Sequence, residues 1–379
     1  VAPNDAFNAT RILKSIGQND TPNNAINAMR AMGLLQGEPV VRPPRPPVVL
    51  AVSLPGMNWP DLSIVVTGGT GSLGSVLVPE LLRRKVQRLA VLSRDEAKQH
   101  AMRQIHGDAV RYFLGDVRDL DRLRLAFRNV DVVIHAAALK QQPAGEYNPD
   151  EFVLTNVIGT RNVVRAAVDA GVRRVMTIST DKAPESVTLY GATKLCAERL
   201  TVQGNSYAGA GPTRLAVCRY GNVGGSRGSV LPVWRQELAD TGRLTITDPD
   251  MTRFWITLPA AVEFVLSCIE QMHGGEVFVP KLPAARVGDL ADAFAPDAPR
   301  AVVGLRPYEK RHEVLIARDE AFCARNLGDR YALLSPFAFW GDTPRGEAVP
   351  ADLEYRSDTA RRMGVDELRD LIGNRRETA

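Results

Sequence analysis

The sequence predicts an α/β fold: a Rossmann-like, doubly wound parallel sheet with a smaller C-terminal substrate-binding lobe. Three observations carry this expectation. From Leu62 onward, short apolar runs rich in β-branched residues alternate with amphipathic helical patterns through at least five units, as parallel strands covered by helices on both faces require. A glycine-rich turn follows the first apolar run directly, and beyond about Asn222 the alternation weakens.

Residues 1–60 stand apart as an N-terminal appendage. NNAINAMRAMGLLQG reads as a helix ending at Gly37, and the Pro-rich VVRPPRPPVVL as an extended, semi-rigid linker. Residues 23–47 also resemble the tail of dihydrodipicolinate synthase-type aldolases, a match that brings no catalytic residues. Residues 61–222 are expected to form a nucleotide-binding domain, with strands in SIVVTGG, LAVLSR, VRYFLGD, DVVIHAAA and RRVMTIST and a sixth candidate in TRLAVCRYGNV. Helices through VLVPELLRR and LRLAFRN fall between them. Residues 223–320, with short strands TITD and EVFVPK around the helix LPAAVEFVLSCIEQM, are expected to form mainly the substrate lobe. Residues 321–379 read as an extension of Pro-rich loops and a terminal helix, packed on the core or on a neighbouring subunit.

Bulk composition narrows the function. The chain has 379 residues, with 47 basic against 43 acidic side chains and a net charge of +4, a balance that gives no support to nucleic-acid binding. Its pI of 8.9 and many arginines suit a phosphorylated ligand. Cys196, Cys218, Cys268 and Cys323 are far apart and form no Cys-x-x-Cys pair, so reduced thiols in a cytoplasmic protein are expected. No apolar run approaches the roughly 20 residues of a membrane span, and the polar start has no signal-peptide core. The five histidines lack metal-ligand spacing, and no metal is expected.

The cofactor site is the most local signal. In Thr67-Gly68-Gly69-Thr70-Gly71-Ser72-Leu73-Gly74, Gly68, Gly71 and Gly74 allow a tight turn, close approach of a pyrophosphate and packing of the next helix on the sheet. Thr70, Ser72 and Leu73 complete the expected phosphate cradle. A lone glycine pattern is weak; the strand-turn-helix context and the further βα units make it specific for a dinucleotide. The second strand ends in Leu92-Ser93-Arg94-Asp95. An Arg there can bind the 2′-phosphate of NADP, so Ser93, Arg94 and Lys98 are its candidates, while an Asp95 that takes the ribose would mean NAD. Asp116 and Val117 are expected beside the adenine, although Gly115-Asp116 also reads as a helix cap. Ala136 and Ala137, after the fourth strand, complete the list.

The chemistry is carried by Ser179-Thr180-Asp181-Lys182 and, eight residues after Lys182, Tyr190-Gly191-Ala192-Thr193-Lys194. Tyr190 and Lys194, four apart on a helix, share a face, so Lys194 can hold a cofactor ribose and lower the Tyr190 pKa, making the phenol a base. Simple hydride transfer needs no more than that pair. Asp181 and Lys182 supply a second proton-handling centre, as an elimination requires. A surface ion pair is the competing reading, but strand C-termini in doubly wound sheets open on the ligand crevice.

These motifs resemble the extended short-chain dehydrogenase/reductase family over roughly residues 62–320. Within it they are most similar to the soluble, inverting UDP-N-acetylglucosamine 4,6-dehydratases, whose product feeds pseudaminic acid and related sugars. The resemblance rests also on His135 to Gln141, Arg219-Tyr220-Gly221-Asn222-Val223, Ser226 to Val230, Met251 to Thr257 and Gly274 to Lys281. Lys182 stands where C5-retaining dTDP-glucose dehydratases have Glu, and Tyr190 where membrane-anchored relatives have Met. The resemblance implies that Tyr190 takes the 4-hydroxyl proton with Thr180 orienting it, that a neutral Lys182 removes the C5 proton, and that a protonated Asp181 protonates the leaving 6-hydroxyl. Neutrality of Lys182 is expected from burial and from nearby Lys194. It further implies NADP, a UDP-sugar held by Lys140, Asn222, Arg227, Arg253, Arg306 and Glu309, and a homo-oligomer, perhaps hexameric. Two positions depart from the family: Tyr308 replaces a Gly, which would force the loop to reshape if that Gly had a positive φ, and Gly224 replaces an apolar residue. A UDP-sugar 4-epimerase or 5,6-dehydratase on the same scaffold, or a non-catalytic NADP-binding regulator, are the alternatives.

Overall fold

The computed structural model describes residues 57–373, apart from Arg227, Phe339 and residues 341–345. The expected N-terminal helix and Pro-rich linker, and Arg227, lie outside the described residues. Six strands with their connecting helices come first: β1 (Ser63–Thr67), α1 (Gly74–Arg83), β2 (Arg88–Ser93), α2 (Glu96–His106), β3 (Arg111–Leu114), α3 (Leu120–Ala126) and β4 (Val132–His135). Two short helices, α4 (Gln142–Tyr147) and α5 (Pro149–Phe152), and a π-helical stretch Val153–Ile158 then lead into α6 (Gly159–Asp169), β5 (Arg174–Thr180), α7 (Leu189–Ala208) and β6 (Arg214–Tyr220).

The remaining elements include shorter strands. They are β7 (Asn222–Val223), α8 (Val230–Thr241), β8 (Leu244–Ile246), β9 (Thr252–Ile256), α9 (Leu258–Gln271), β10 (Val277–Pro280), β11 (Ala284–Arg286) and α10 (Val287–Phe294). After them come β12 (Arg300–Val302), β13 (Val314–Ile316), β14 (Ala324–Asn326), β15 (Arg330–Leu333), β16 (Glu347–Ala348), β17 (Tyr355–Arg356) and α11 (Val365–Gly373).

The main sheet has the order β16-β14-β15-β10-β6-β5-β4-β1-β2-β3. Strands β3 to β10 run parallel, and β15, β14 and β16 close one end antiparallel. The chain reverses its direction of strand addition between β1 and β4, and a ligand crevice opens above such a switch point. The strands read as unbroken apolar runs because both faces are covered. Ile64 and Val66 enter one core layer with Leu77, Leu81 and Val265, while Val65 enters the other with Leu123, Val163 and Ala167.

Between 223 and 320 the chain divides its contribution. Helix α9 packs into the sheet's own core, and β10 pairs with β6 at Val277 and Phe278. A separate small core gathers Leu231, Trp234, Leu244, Ile246, Trp255 and Leu290, with Met363 and Leu368 from the C-terminal end. The terminal helix thus packs on the small lobe. Across β6, the fully buried Arg219 pairs with Glu198 of α7 at 2.6 Å and with Glu320 at 2.7 Å, and donates to the Leu315 carbonyl. A buried guanidinium needs such complete pairing to avoid a cost of several kcal/mol. Among the described residues no helix is long and apolar enough to cross a membrane.

Candidate active site

The glycine turn is forced by close packing at the switch point. Gly68 has φ +68°, and a Cβ there would lie 2.6 Å from the Ala137 Cα, so only glycine lets β1 turn against the end of β4. Thr67 and the buried His135 join the two strand ends through a 2.7 Å hydrogen bond. Above them lies a crevice of about 280 Å³, lined by Gly68, Thr70 and Gly71 and by Ala136 and Ala137. Ser93, Arg94, Lys98, Asp116 and Val117 form its far wall. Gly74 lines neither this crevice nor the larger cleft beside it: its Cβ would meet the Gly69 carbonyl at 1.8 Å, so its part is to seat α1 on the turn.

The acidic groups in this crevice already have protein partners, whereas Thr155 Oγ1 is buried there without one. Asp95 caps α2 by accepting from the Lys98 amide at 2.9 Å, and its carboxylate also pairs with the Lys98 ammonium. Asp116 pairs with Arg118 at 2.9 Å and with Arg94 at 3.5 Å. Burial pushes the Asp116 carboxyl up, but its bonds to Arg118 outweigh that and hold it below its ordinary value.

A larger cleft of about 600 Å³ adjoins the first, sharing Gly68, Gly71, Ala136 and Ala138 with it. Its floor carries Ser72, Leu73, Tyr190 and Lys194 together with Thr180, Asp181 and Lys182. The last three sit where β5 ends, and α7 starts directly above them, capped by Thr188 accepting from the Gly191 amide at 3.1 Å. A Cβ at Gly191 would lie 2.1 Å from the Lys182 carbonyl, so this glycine lets the helix seat on the loop.

Burial and charge set the proton affinities of this group. Asp181 is 1% exposed; its Oδ1 accepts from Thr180 at 3.0 Å and from Lys182 Nζ at 2.9 Å, and its Oδ2 has no partner. Burial raises the Asp181 pKa despite the adjacent lysine, which suits a carboxyl that must donate a proton. Two expectations are corrected. Lys182 is not held neutral: burial favours the amine, but Asp181 and Glu313 at 3.2 Å outweigh it and raise the pKa. Nor does Lys194 bring the Tyr190 phenol down. Burial raises the Tyr190 pKa, with Lys182 and Thr180 as the opposing influences, while Lys194 donates to the Ile178 carbonyl at 2.6 Å. Its own pKa is lowered to about 8 by burial.

The outer wall of the large cleft holds Lys140, Asn222, Arg253, Arg306 and Glu309. Asn156, in the π-helical stretch, clamps the Lys140 loop by bonding both the amide and the carbonyl of Leu139, at 2.8 and 2.9 Å. Arg253 donates to the carbonyls of Thr252, Arg311 and Lys310 and lies 3.7 Å from Glu309 and Glu313. Tyr308 itself takes a positive φ, at +62°. Gly224 makes room for a ring, since a Cβ there would lie 2.8 Å from Trp255.

A protein-family model described as polysaccharide biosynthesis protein matches residues 64–334. The chain belongs to this family. Among its relatives, a Campylobacter jejuni protein named UDP-N-acetylglucosamine 4,6-dehydratase (inverting) is 43% identical over 325 residues, 82% of this chain and 97% of that one. A Rickettsia felis protein named UDP-glucose 4-epimerase is 35% identical over 329 residues, 83% of this chain and 96% of that one. The X-ray structure of Pen from Bacillus thuringiensis superposes with a TM-score of 0.77 at 35% identity, covering 84% of this chain and 100% of that one.

In this member of the polysaccharide biosynthesis family, the sequence reading missed Glu313, Trp255 and Ser229. All three line the large cleft and carry a buried polar atom without a partner, as does Asn222 through its Oδ1. Buried polar atoms are nearly always paired, so a cluster of exceptions in one cavity points to a ligand that completes them. Glu313 reaches Lys182 from 131 positions further on, by tertiary packing rather than spacing, and no local motif announces it.

Proposed function

We propose that the chain is an inverting UDP-N-acetylglucosamine 4,6-dehydratase, a lyase that removes water from the nucleotide sugar through an internal hydride cycle and inverts C5. One observation carries the reading: Asp181 and Lys182, bonded at 2.9 Å, share a cleft with Tyr190. Oxidation of a hydroxyl needs one base, whereas oxidation followed by elimination needs a second acid and base. The identity of 43% over 97% of the Campylobacter protein supports the same reaction.

The glycine turn and the crevice of about 280 Å³ beside the strand ends fit a dinucleotide. Bound there, a nicotinamide group would supply the hydride acceptor for C4 and the hydride donor for C6. Tyr190 takes the proton of the 4-hydroxyl, with Thr180 orienting it and Lys194 holding the nicotinamide ribose. For the elimination, one proton passes from Lys182 to Asp181 along their hydrogen bond, converting ammonium and carboxylate into amine and carboxylic acid. The amine takes the proton from C5, made acidic by the neighbouring ketone. The C5–H electron pair forms the double bond to C6 as the C6–O bond breaks, and hydroxide leaves as water with the Asp181 proton. Lys182 and Asp181 thereby return to their ionic forms. A proton from solvent water on the opposite face of C5 inverts that centre, and Tyr190 gives up the proton it took from the 4-hydroxyl, which restores the starting state.

Asn222 and Trp255 are register partners across β7 and β9 and both line the cleft. An unpaired carbonyl oxygen beside an unpaired indole N–H matches the N–H and C=O of an acetamido group. Arg94 and Ser93 beside the crevice favour NADP, and the reading extends to a cytoplasmic homo-oligomer; mass spectrometry of the extracted cofactor and light scattering test these points. A UDP-sugar 4-epimerase is the second reading, favoured by the 35% identity to the Rickettsia protein of that name. Incubation with UDP-N-acetylglucosamine in D₂O, followed by product NMR, separates the two. Loss of the C6 oxygen and deuterium at C5 are expected, and retention of both C6 oxygen and C5 hydrogen would overturn the dehydratase.

A further inference from the structure

Glu313 lies immediately before β13, in a segment that is rigidly placed. Its amide donates to Ser357 Oγ at 2.9 Å, Ser357 contacts Thr252 Oγ1 at 2.7 Å, and His312 Nδ1 contacts the same Thr252 oxygen at 2.8 Å. The side chain is 3% exposed, with Oε1 at 3.2 Å from Lys182 Nζ and 3.7 Å from Arg253 Nε, while Oε2 has no partner. Lys182 Nζ is therefore held from two sides, by Asp181 at the end of β5 and by Glu313 before β13.

We infer that Glu313 is a positioning residue for Lys182, fixing its amino group toward C5 of the sugar and stabilising the positive charge that develops there as the C5 proton arrives. The inference rests on the dehydratase reading. When Lys182 passes a proton to Asp181, Glu313 stays ionised; Lys182 and Arg253 keep its carboxyl below the ordinary range against the effect of burial. As C5 loses its proton, ammonium forms again beside a fixed anion in a largely dry site, where preorganised charge is most effective. The carboxylate of a Ser-His-Asp triad does the same for an imidazolium. The charged and titratable groups facing this point are Asp181 from β5, Tyr190 from α7, Arg253 from β9, and Glu313 and Lys310 beside β13.

Glu313→Gln keeps the shape and removes the charge. Incorporation of solvent deuterium at C5 is expected to slow about 100-fold, while C4 oxidation continues, so that the reduced fraction of bound nicotinamide rises. Both limbs of the pH profile move to lower pH, because losing one carboxylate lowers the proton affinity of the Lys182–Asp181 pair. Glu313→Asp recovers part of the rate; it also serves as the test variant should the Gln protein not fold, with the same split between the two half-reactions. A merely structural role would slow C4 oxidation and C5 exchange together and leave the pH profile in place. Wild-type C5 exchange and an unmoved profile in folded Glu313→Gln would overturn the inference alone. Absence of C5 exchange in the wild-type enzyme would overturn the dehydratase reading with it.

Discussion

The two clefts over the switch point are built on opposite principles. In the smaller one, glycines and alanines bring backbone to the surface, and the acidic groups Asp95 and Asp116 are already paired with Lys98, Arg118 and Arg94. In the larger one, Asp181 Oδ2, Asn222 Oδ1, Ser229 Oγ, Trp255 Nε1 and Glu313 Oε2 are all buried without partners. Each such atom costs about 1–3 kcal/mol. The first cleft leaves a buried Thr155 Oγ1 without a partner but pairs its acidic groups, whereas the second carries a larger deficit that a polar sugar removes. A dinucleotide retained through turnover needs shape, and a substrate that must react needs aimed, incompletely satisfied groups.

The largest expected effect breaks the larger cleft alone. Lys182→Ala should abolish deuterium incorporation at C5, a loss of about 10⁴-fold or more, and leave nucleotide affinity by fluorescence titration unchanged; normal incorporation would remove Lys182 from the base role. The converse variant is Gly68→Ala, which places a Cβ 2.6 Å from the Ala137 Cα at a positive φ. It should cost about 3 kcal/mol of stability and weaken nucleotide binding, read by thermal melts with and without cofactor. A variant that melts and binds like the wild type would show that the turn is not set by this contact.

Lys194 sits where the two regions meet and yields a prediction with a sign. Its folded pKa of about 8 lies below the ordinary lysine value of 10.5, so between these values the unfolded chain binds more protons and stability rises with pH. Lys194→Met should therefore be more stable than the wild type below pH 8, by about 3 kcal/mol, with the gain closing as pH approaches 10.5. Denaturant melts across that range check it, and a pH-independent difference would contradict it. The smallest effect belongs to Trp255→Phe, which deletes one unpaired N–H. Stability should hold or rise by about 1 kcal/mol, while KM for the acetamido sugar rises about tenfold relative to UDP-glucose. Equal KM changes for both sugars would sever Trp255 from acetamido recognition.

Legibility in the sequence follows the same division. The strands, the glycine turn and the Tyr190–Lys194 pair were readable because each is local: an apolar run, a few consecutive residues, one helix face. Protonation was not, because Lys182 meets Glu313 only after β13 is placed beside the end of β5. The same limit hid Trp255, whose ring covers Gly224 through the β7–β9 pairing. Tyr308 is a residue type unsuited to the left-handed region, and its φ of +62° carries a cost of about 1–2 kcal/mol that sequence alone does not show.

The strand order has a consequence for how the chain is made. Synthesis delivers β1 to β6 first, so a nucleotide crevice can close while β6 still presents a free edge to solvent. That edge is covered only when β10 and then β15 and β14 are added, and Glu320, the second counter-charge of Arg219, arrives 101 residues after it. Glu313 comes in the same late stretch. A chain that stops short of it would hold Lys182 by Asp181 alone.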